Sequence, residues 1–173
     1  TEGYLKQSIS KAVDLNSELL IVELNTPGGL LNSTRNMVGY IINSPIPIVI
    51  YVSPSGGQAA SAGTFLMAAS HIAVMAPATS MGAASPVQGQ GSELEGTLKT
   101  KAFEDAAAEM RSLAEKRGRP KDLLESTVWD AKAFSAKEAL DLGIIEYIAT
   151  DINDLLEQIH GVHVEVVRDS NEF

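Results

Sequence analysis

Three short and almost continuous apolar runs constrain the fold of this chain more than any other feature. They are LLIVEL at 19–24, IPIVIYV at 46–52 and HIAVMA at 71–76. Runs of this length, rich in β-branched residues, are typical of strands buried on both faces of a parallel sheet. A turn, NTPGG, and a helical pattern around Val38 and Ile41 lie between the first two runs. The sequence therefore predicts β-turn-α-β units and an α/β domain with a largely parallel sheet.

The remaining elements follow from periodicity and from start and stop signals. We expect helices over 4–15, 59–70, 99–117 and 151–159, and late strands over 144–149 and 162–167. Gly118 and Pro120 are suited to end the long helix. Ser135 and Glu138 have the spacing of a capping box, and Gly143 supplies the stop for the helix that follows.

Composition excludes several classes of function. A chain of 173 residues has room for one compact domain, which we place over 1–173. A net charge of -9 argues against a nucleic-acid partner. With no cysteine there is no disulfide, thiolate metal site or cysteine nucleophile, and we predict no metal and no cofactor. No run is long enough to cross a bilayer, and the start within a helical pattern suggests an excised domain.

Ser61 stands in the small-residue segment AASAG, where no neighbouring side chain blocks a substrate carbonyl. The segment follows a loop and opens a helix, where backbone amides favour negative charge on a bound oxygen. The pattern is compatible both with a nucleophile and with a small residue selected for helix packing. Two glycine pairs, Gly28-Gly29 and Gly56-Gly57, follow strands at the edge where α/β proteins collect ligands, although turns explain them equally well.

Four segments occur together in a characteristic order: LNTPGG at 24–29, AASAGTF at 59–65, SMGAASP at 80–86 and AKEALDLGIIE at 136–146. In this combination the chain resembles the N-terminal protease domain of the NfeD family of membrane-anchored serine proteases, relatives of ClpP and of signal peptide peptidase A. The resemblance extends from the first helix to about residue 160. It implies a ClpP/crotonase-type fold of repeated ββα units, with Ser61 as the nucleophile.

The general base is not the histidine of ClpP, because that position falls on Ala84. We expect His71 at the far end of the helix that Ser61 opens, and His160 and His163 near the C-terminus, all in structural or surface roles. The resemblance to the NfeD and signal peptide peptidase relatives implies a Ser-Lys dyad instead.

Lys101 aligns with the family's lysine, and burial would have to lower its pKa for it to serve as a base. It follows the polar, glycine-rich segment 88–97, which we expect to be a mobile functional loop. Lys99, two residues earlier, is the rival. Only one of the two can face the serine, since residues two apart on a helix point in nearly opposite directions.

The family resemblance also implies an oxyanion hole made by the amide of Gly28 or Gly29 together with that of Ala62. We place the peptide against Leu30 and the glycine pair Gly56-Gly57. The apolar surroundings, in which we include Leu31, Phe65 and Met67, suggest an extended hydrophobic peptide bound by strand addition.

By resemblance, the domain is an endopeptidase that cleaves hydrophobic segments of stomatin-like membrane proteins. We expect a homo-oligomer, a dimer or a larger ring, in a protein anchored by a separate membrane domain with this domain on the extracytoplasmic side. The alternatives are a signal peptide peptidase A type protease, a crotonase-like acyl-CoA enzyme, or a non-catalytic scaffold.

Overall fold

The computed structural model of the chain describes residues 1–87 and 96–167. Helices and strands follow one another along these residues in the order α1 (Glu2–Asp14), β1 (Leu20–Leu24), α2 (Leu31–Ile42), β2 (Ile48–Val52), β3 (Gln58–Ala60), α3 (Ala62–Ala69), β4 (Ile72–Met75), β5 (Ser80–Gly82), α4 (Gly96–Arg117), α5 (Lys121–Trp129), β6 (Ala133–Ser135), α6 (Ala136–Asp141), β7 (Tyr147–Ile148) and α7 (Ile152–Ile159).

The main sheet has four parallel strands in the order β1-β2-β4-β7. All five residues of β2 are buried, as a strand covered on both faces requires. Ile48 and Ile50 face the larger core, which the helices α1 to α6 complete, whereas Val49 and Tyr51 face a smaller cluster under α7. The predicted α/β class with a parallel sheet is therefore confirmed.

A second sheet of three very short strands, β3-β5-β6, lies beside the first. β3 and β5 pair in parallel, and β6 pairs with β5 antiparallel. Each of β3 and β5 follows a strand of the main sheet and leads towards a helix, so that β2-β3-α3 and β4-β5-α4 are the repeated ββα units that the resemblance implies. These short strands carry the segments that surround Ser61.

Several predicted boundaries were wrong, for identifiable reasons. The helix predicted over 59–70 starts at Ala62, because β3 occupies the residues before it. The long helix begins at Gly96 rather than 99, so only 88–95 of the expected loop lie outside the described residues. The expected strand 144–149 shortens to Tyr147–Ile148. Residues 162–167 form no strand, because no described strand pairs with them.

The helix ends behave as the sequence predicts. Gly118, directly after α4, and Gly143, two residues after the end of α6, both have positive φ, +67° and +71°. Ser135 and Glu138 form the capping box, in which the hydroxyl accepts from the Glu138 amide and the carboxylate accepts from the Ser135 amide at 2.8 Å. Among residues 1–87 and 96–167, no helix has the length and apolar character needed to cross a bilayer.

Candidate active site

Ser61 occupies a strained turn between the end of β3 and the start of α3. Its backbone has φ +52° and ψ -115°, a conformation that residues other than glycine rarely adopt and that costs about 1–3 kcal/mol. Such strain persists where the surroundings hold it, and it clusters at functional sites. A serine on a sharp strand-to-helix turn presents its hydroxyl outward, as the nucleophiles of several hydrolases do. Ser61 stands on such a turn, and its side chain is half-buried.

The strained turn is held from below by β5 and by Thr64. The Ser61 amide donates to the Gly82 carbonyl at 2.9 Å. The fully buried hydroxyl of Thr64 lies 2.9 Å from the same carbonyl and 3.0 Å from that of Ala59, and it accepts the Gly82 amide at 3.0 Å. A side chain at position 82 would collide with the backbone of Lys132. Thr64 and Gly82 thus fix the backbone beneath the serine.

Small residues around Ser61 are needed for packing as well as for access. A Cβ on Gly63 would lie 2.8 Å from the Thr26 side chain and 3.2 Å from Ala59. Close packing requires glycine at position 63, so the small residues of AASAG serve packing as well as access to Ser61. Packing does not explain why the backbone of Ser61 itself is strained.

The TPGG turn lies directly against the serine. Thr26 ties this turn to β3, donating its amide to the Gln58 carbonyl at 2.7 Å and accepting the Ala60 amide at 3.0 Å. Gly28 has φ +140°, and a Cβ there would lie 3.0 Å from the Ser61 Cβ and 3.3 Å from its Oγ. Only glycine lets the backbone approach the hydroxyl this closely.

Two of the three amides that the sequence suggested for an oxyanion hole have no hydrogen-bond acceptor among the described residues. They are those of Gly29 and Ala62, and a Cβ on Gly29 would lie 3.7 Å from the Ala62 Cβ. The Gly28 amide is different, because it donates to the Thr26 hydroxyl at 3.1 Å. The free amide of Ala62 at the start of α3 adds to the positive field of the helix N-terminus. The amides of Gly29 and Ala62 and this field suit an oxygen that becomes negatively charged.

The other residues expected to bind peptide divide into two groups. Leu30 is 75% exposed and Leu31 44%, directly after Gly29, so both are available to a peptide. Phe65 and Met67 are buried in the core on the inner face of α3, so including them in the peptide surface was wrong.

The second glycine pair lies in the turn between β2 and β3. The Gly56 amide donates to the Ala78 carbonyl at 3.0 Å, and the Gly57 amide donates to the Pro54 carbonyl at 2.8 Å. A Cβ on Gly57 would lie 2.8 Å from that Pro54 oxygen, which explains glycine at this position.

Both candidate lysines lie in the first two turns of α4 and are exposed. The Lys99 ammonium lies 5.8 Å from the ring centre of Phe103, which belongs to the buried face of the helix. Lys101 is two residues before Phe103 and so projects from nearly the opposite side. Among the described residues no hydrogen bond joins either ammonium to Ser61. The structure thus brings Ser61 close to the amides of Gly29 and Ala62, but neither Lys99 nor Lys101 hydrogen-bonds to Ser61 in it.

The histidines are placed as the sequence predicts. His71 follows α3 at the end opposite Ser61, a helix length of about 12 Å away. Its Nδ1 accepts the Ile48 amide at 3.1 Å. Burial, and after it the cationic side chains near the end of α4, lower the pKa of His71 to about 4. His160 and His163 are exposed near the C-terminus.

The position of the ClpP histidine is filled by Ala84, which is buried two residues beyond Gly82. Its amide donates to the Thr127 carbonyl at 2.8 Å. Among residues 1–87 and 96–167, no group of three or more His, Asp and Glu side chains could hold a metal ion.

Comparison with known proteins identifies the family of this chain. The family model described as "NfeD1b, N-terminal domain" matches residues 1–168. Membrane-bound protease PH1510 of Pyrococcus horikoshii is 40% identical over 154 residues, covering 87% of this chain and 34% of that protein. Membrane protein NfeD1b of Bacillus subtilis is 33% identical over 171 residues, covering 91% of this chain and 37% of that protein. The chain spans about a third of the length of these relatives.

Solved structures of a related domain have the same fold. A lysine-to-alanine variant of the 1510-N membrane-bound stomatin-specific protease, in complex with a substrate peptide, superposes with a TM-score of 0.90 at 35% identity, covering 98% of this chain and 78% of that chain. A serine-to-alanine variant superposes with a TM-score of 0.89 at 36% identity, covering 96% and 81%. With the family model matched along nearly its whole length, this chain belongs to the NfeD1b N-terminal domain family.

Proposed function

We propose that this domain is a serine endopeptidase in which Ser61 is the nucleophile and a lysine of α4 is the general base. The observation that carries the proposal is the strained strand-to-helix turn at Ser61, with the free amides of Gly29 and Ala62 beside it. The two solved structures of one related domain carry alanine in place of a single lysine or serine, and that domain is named a protease, which supports this chemistry.

In the proposed reaction the Ser61 Oγ attacks the scissile carbonyl carbon as its proton passes to the neutral lysine amine. The carbonyl oxygen becomes an oxyanion that accepts from the two amides. When the intermediate collapses, the C–N bond breaks and the leaving amine takes the proton back from the lysine ammonium. A water molecule then repeats the sequence on the acyl-enzyme, giving the carboxylic acid and restoring Ser61.

We assign the base to Lys101, with Lys99 as the rival. The substituted serine and lysine of the relative are separated by one residue more than Ser61 and Lys101, and by three more than Ser61 and Lys99, which supports Lys101. An exposed lysine is protonated at neutral pH, so a working base has to be covered. We infer that bound peptide or a second subunit covers it, in keeping with the homo-oligomer that the family resemblance implies.

As substrate we propose hydrophobic segments of stomatin-like membrane proteins. The related domain is named a stomatin-specific protease and was solved with a substrate peptide. Leu30 and Leu31, exposed beside Gly29, offer apolar contacts to an extended peptide, and Gly56 and Gly57 contribute through the shape of their turn. By the same resemblance we propose that a membrane anchor lies elsewhere in the protein and that this domain works on the extracytoplasmic side.

A fluorophosphonate probe, which reacts with activated serines, tests the proposal together with a library of apolar peptides. We expect labelling and cleavage by the native domain and by Ser112→Ala, which removes an exposed hydroxyl from the second half of α4. Ser61→Ala should lose both, while its melting transition stays the same. Full cleavage by folded Ser61→Ala would refute the serine mechanism, and a folded native domain that the probe never labels would favour a crotonase-like use of the two amides.

Self-association has its own measurement. Light scattering at tens of micromolar should show a dimer or a larger assembly. A monomer that nevertheless cleaves peptide would show that bound peptide, and not a second subunit, completes the site.

A further inference from the structure

A second cleft lies at the end of α3 that is farther from Ser61. Its volume is about 310 Å³, and it is lined by Ile42, His71, Lys116, Arg117 and residues 164–167. It shares none of these residues with the site around Ser61. The lining combines isoleucine and valine side chains with the nitrogen-bearing side chains of His71, Lys116 and Arg117.

Two buried nitrogen atoms that belong to lining residues of the cleft lack hydrogen-bond partners among residues 1–87 and 96–167. They are Nε2 of His71 and Nη2 of Arg117. His71 is only 8% exposed, and its Nδ1 already accepts the Ile48 amide, so the neutral ring carries its proton on Nε2. Arg117 uses its Nε to donate to the Ala69 carbonyl at 2.8 Å, which leaves Nη2 free. Both atoms are therefore donors that lack an acceptor.

The charges around the cleft indicate what kind of acceptor fits. Lys116 and Arg117 supply two positive charges, and Glu165 is the one carboxylate among the lining residues that the structure describes. This positive balance contrasts with the net charge of -9 for the whole chain. The neighbouring cations also help to lower the pKa of His71, which shows that the field at the imidazole is positive. Buried donors in a positive field are suited to an oxyanion.

We propose that this cleft binds a small oxyanion of the phosphate class, with His71 Nε2 and Arg117 Nη2 donating to its oxygens and Lys116 balancing its charge. The anion is either free phosphate or the phosphate end of a larger ester. The site is independent of the proposed peptidase chemistry, so it can be tested on folded protein without any cleavage assay.

The test is a titration of the ¹⁵N-labelled domain, with inorganic phosphate in one arm and glycerol 3-phosphate in the other, at ionic strength held constant with chloride. Either ligand should shift the His71 ring resonances in a saturable way and raise the pKa of that histidine. Phosphate alone binding would identify free anion as the ligand, and equal or tighter binding of the ester would identify a phosphate ester. No saturable change with either compound would overturn the proposal.

Four single-charge variants separate a built site from general attraction. We expect Lys116→Ala to weaken phosphate binding by about 5-fold and Glu165→Gln to tighten it by a similar factor. Lys137→Ala, which removes an exposed charge on α6, should leave binding unchanged. Arg117→Gln should abolish binding; if that variant does not fold, Lys116→Ala still decides. Equal losses in Lys116→Ala and Lys137→Ala would mean that net charge alone attracts the anion, and the site would be rejected.

Discussion

The two ends of α3 differ in whether their free backbone groups are hydrogen-bonded. At the N-terminal end the amide of Ala62 has no acceptor among the described residues, and the residues around Ser61 are small. At the C-terminal end the carbonyls of Met67, Ala68 and Ala69 all accept from arginine side chains at 2.8–3.0 Å. We call the N-terminal end, at Ser61 and Ala62, the open end of α3. We call the C-terminal end, at Met67 to Ala69, the sealed end.

The sealed end is held by an ion pair between the buried Arg119 and the partly exposed Glu146. Arg119, 6% exposed, donates to both Met67 and Ala68 carbonyls and pairs with both oxygens of Glu146 at 3.0 and 2.8 Å. Glu146 in turn accepts the Ala73 amide from β4. Cations at a helix C-terminus also interact favourably with the helix dipole. The arginine contacts at the sealed end hold α3 in place, and this allows the strain at Ser61 and the unpaired amide of Ala62 to persist at the open end.

The largest effect should come from the lysine pair that is proposed to serve the open end. We expect Lys101→Ala to lower kcat/KM by about 1000-fold, the order of a lost general base, and to remove the rise of activity with pH. Lys99→Ala should change little, because the two side chains point in nearly opposite directions. Peptide cleavage measured against pH checks both variants. The reverse result would move the base to Lys99, and activity in both would refute the dyad.

Closing the open end with a single methyl group should have the next largest effect. Gly28→Ala places a Cβ about 3.0 Å from that of Ser61 at a φ of +140°. We expect kcat/KM to fall roughly 100-fold, because small displacements of reacting groups cost that much. Gly39→Ala is the matched control, since nothing lies within 4 Å of a Cβ there. An active Gly28→Ala enzyme would show that the TPGG turn does not position the chemistry.

Breaking the seal should act on stability more than on chemistry. Arg119→Met leaves the Ala68 carbonyl without its donor and removes the cation that pairs with Glu146, which still accepts the Ala73 amide, so we expect a loss of about 2–3 kcal/mol in the free energy of unfolding by urea. Arg111→Met, which removes a partly exposed partner of Glu125, should cost less than about 1 kcal/mol. Adding Glu146→Gln to Arg119→Met should recover part of the loss. Equal losses in the two arginine variants would contradict the claim that Arg119 contributes more stability than a partly exposed arginine.

The smallest effect is a pH dependence at the sealed end. The folded pKa of His71, about 4, lies below its ordinary value of 6.5, so the unfolded chain binds the extra proton first as pH falls. The neutral ring contributes its full stability above about pH 6.5, and this is lost towards pH 4. Between pH 7 and 5 the loss should be about 2 kcal/mol.

Other groups titrate in this range, so the measurement is a difference between variants. Arg117, Lys116 and Arg119 are the cations whose charge acts on the imidazole, and Glu165 also lines the cleft. His71→Gln should show a shallower fall of unfolding free energy with pH than the native domain, and the exposed His163→Gln should not. Parallel curves for all three proteins would show that His71 is not the group responsible.

Long, strongly patterned segments could be predicted from the sequence, and short ones could not. β2 and β4 coincide with apolar runs, because strands buried on both faces must be apolar throughout. β1 also coincides with its run, although it is an edge strand whose residues are only partly buried, so the expected burial on both faces was wrong there. β3, β5 and β6 have three residues each, too few to show a period, and α5 was not predicted at all. Residues 162–167 alternate as a strand would, yet alternation creates no strand without a neighbour to pair with.

The candidate site divides in the same way. The sequence by itself determined that a serine among small residues opens a helix, that two glycines follow β1, and that no histidine stands at the ClpP position, since these depend on residue type and order. Only the tertiary structure decided the strained backbone of Ser61, the support from Thr64 and Gly82, and the use of the Gly28 amide by Thr26. Those features depend on which backbone atoms meet across three separate segments, and local sequence does not encode such distances.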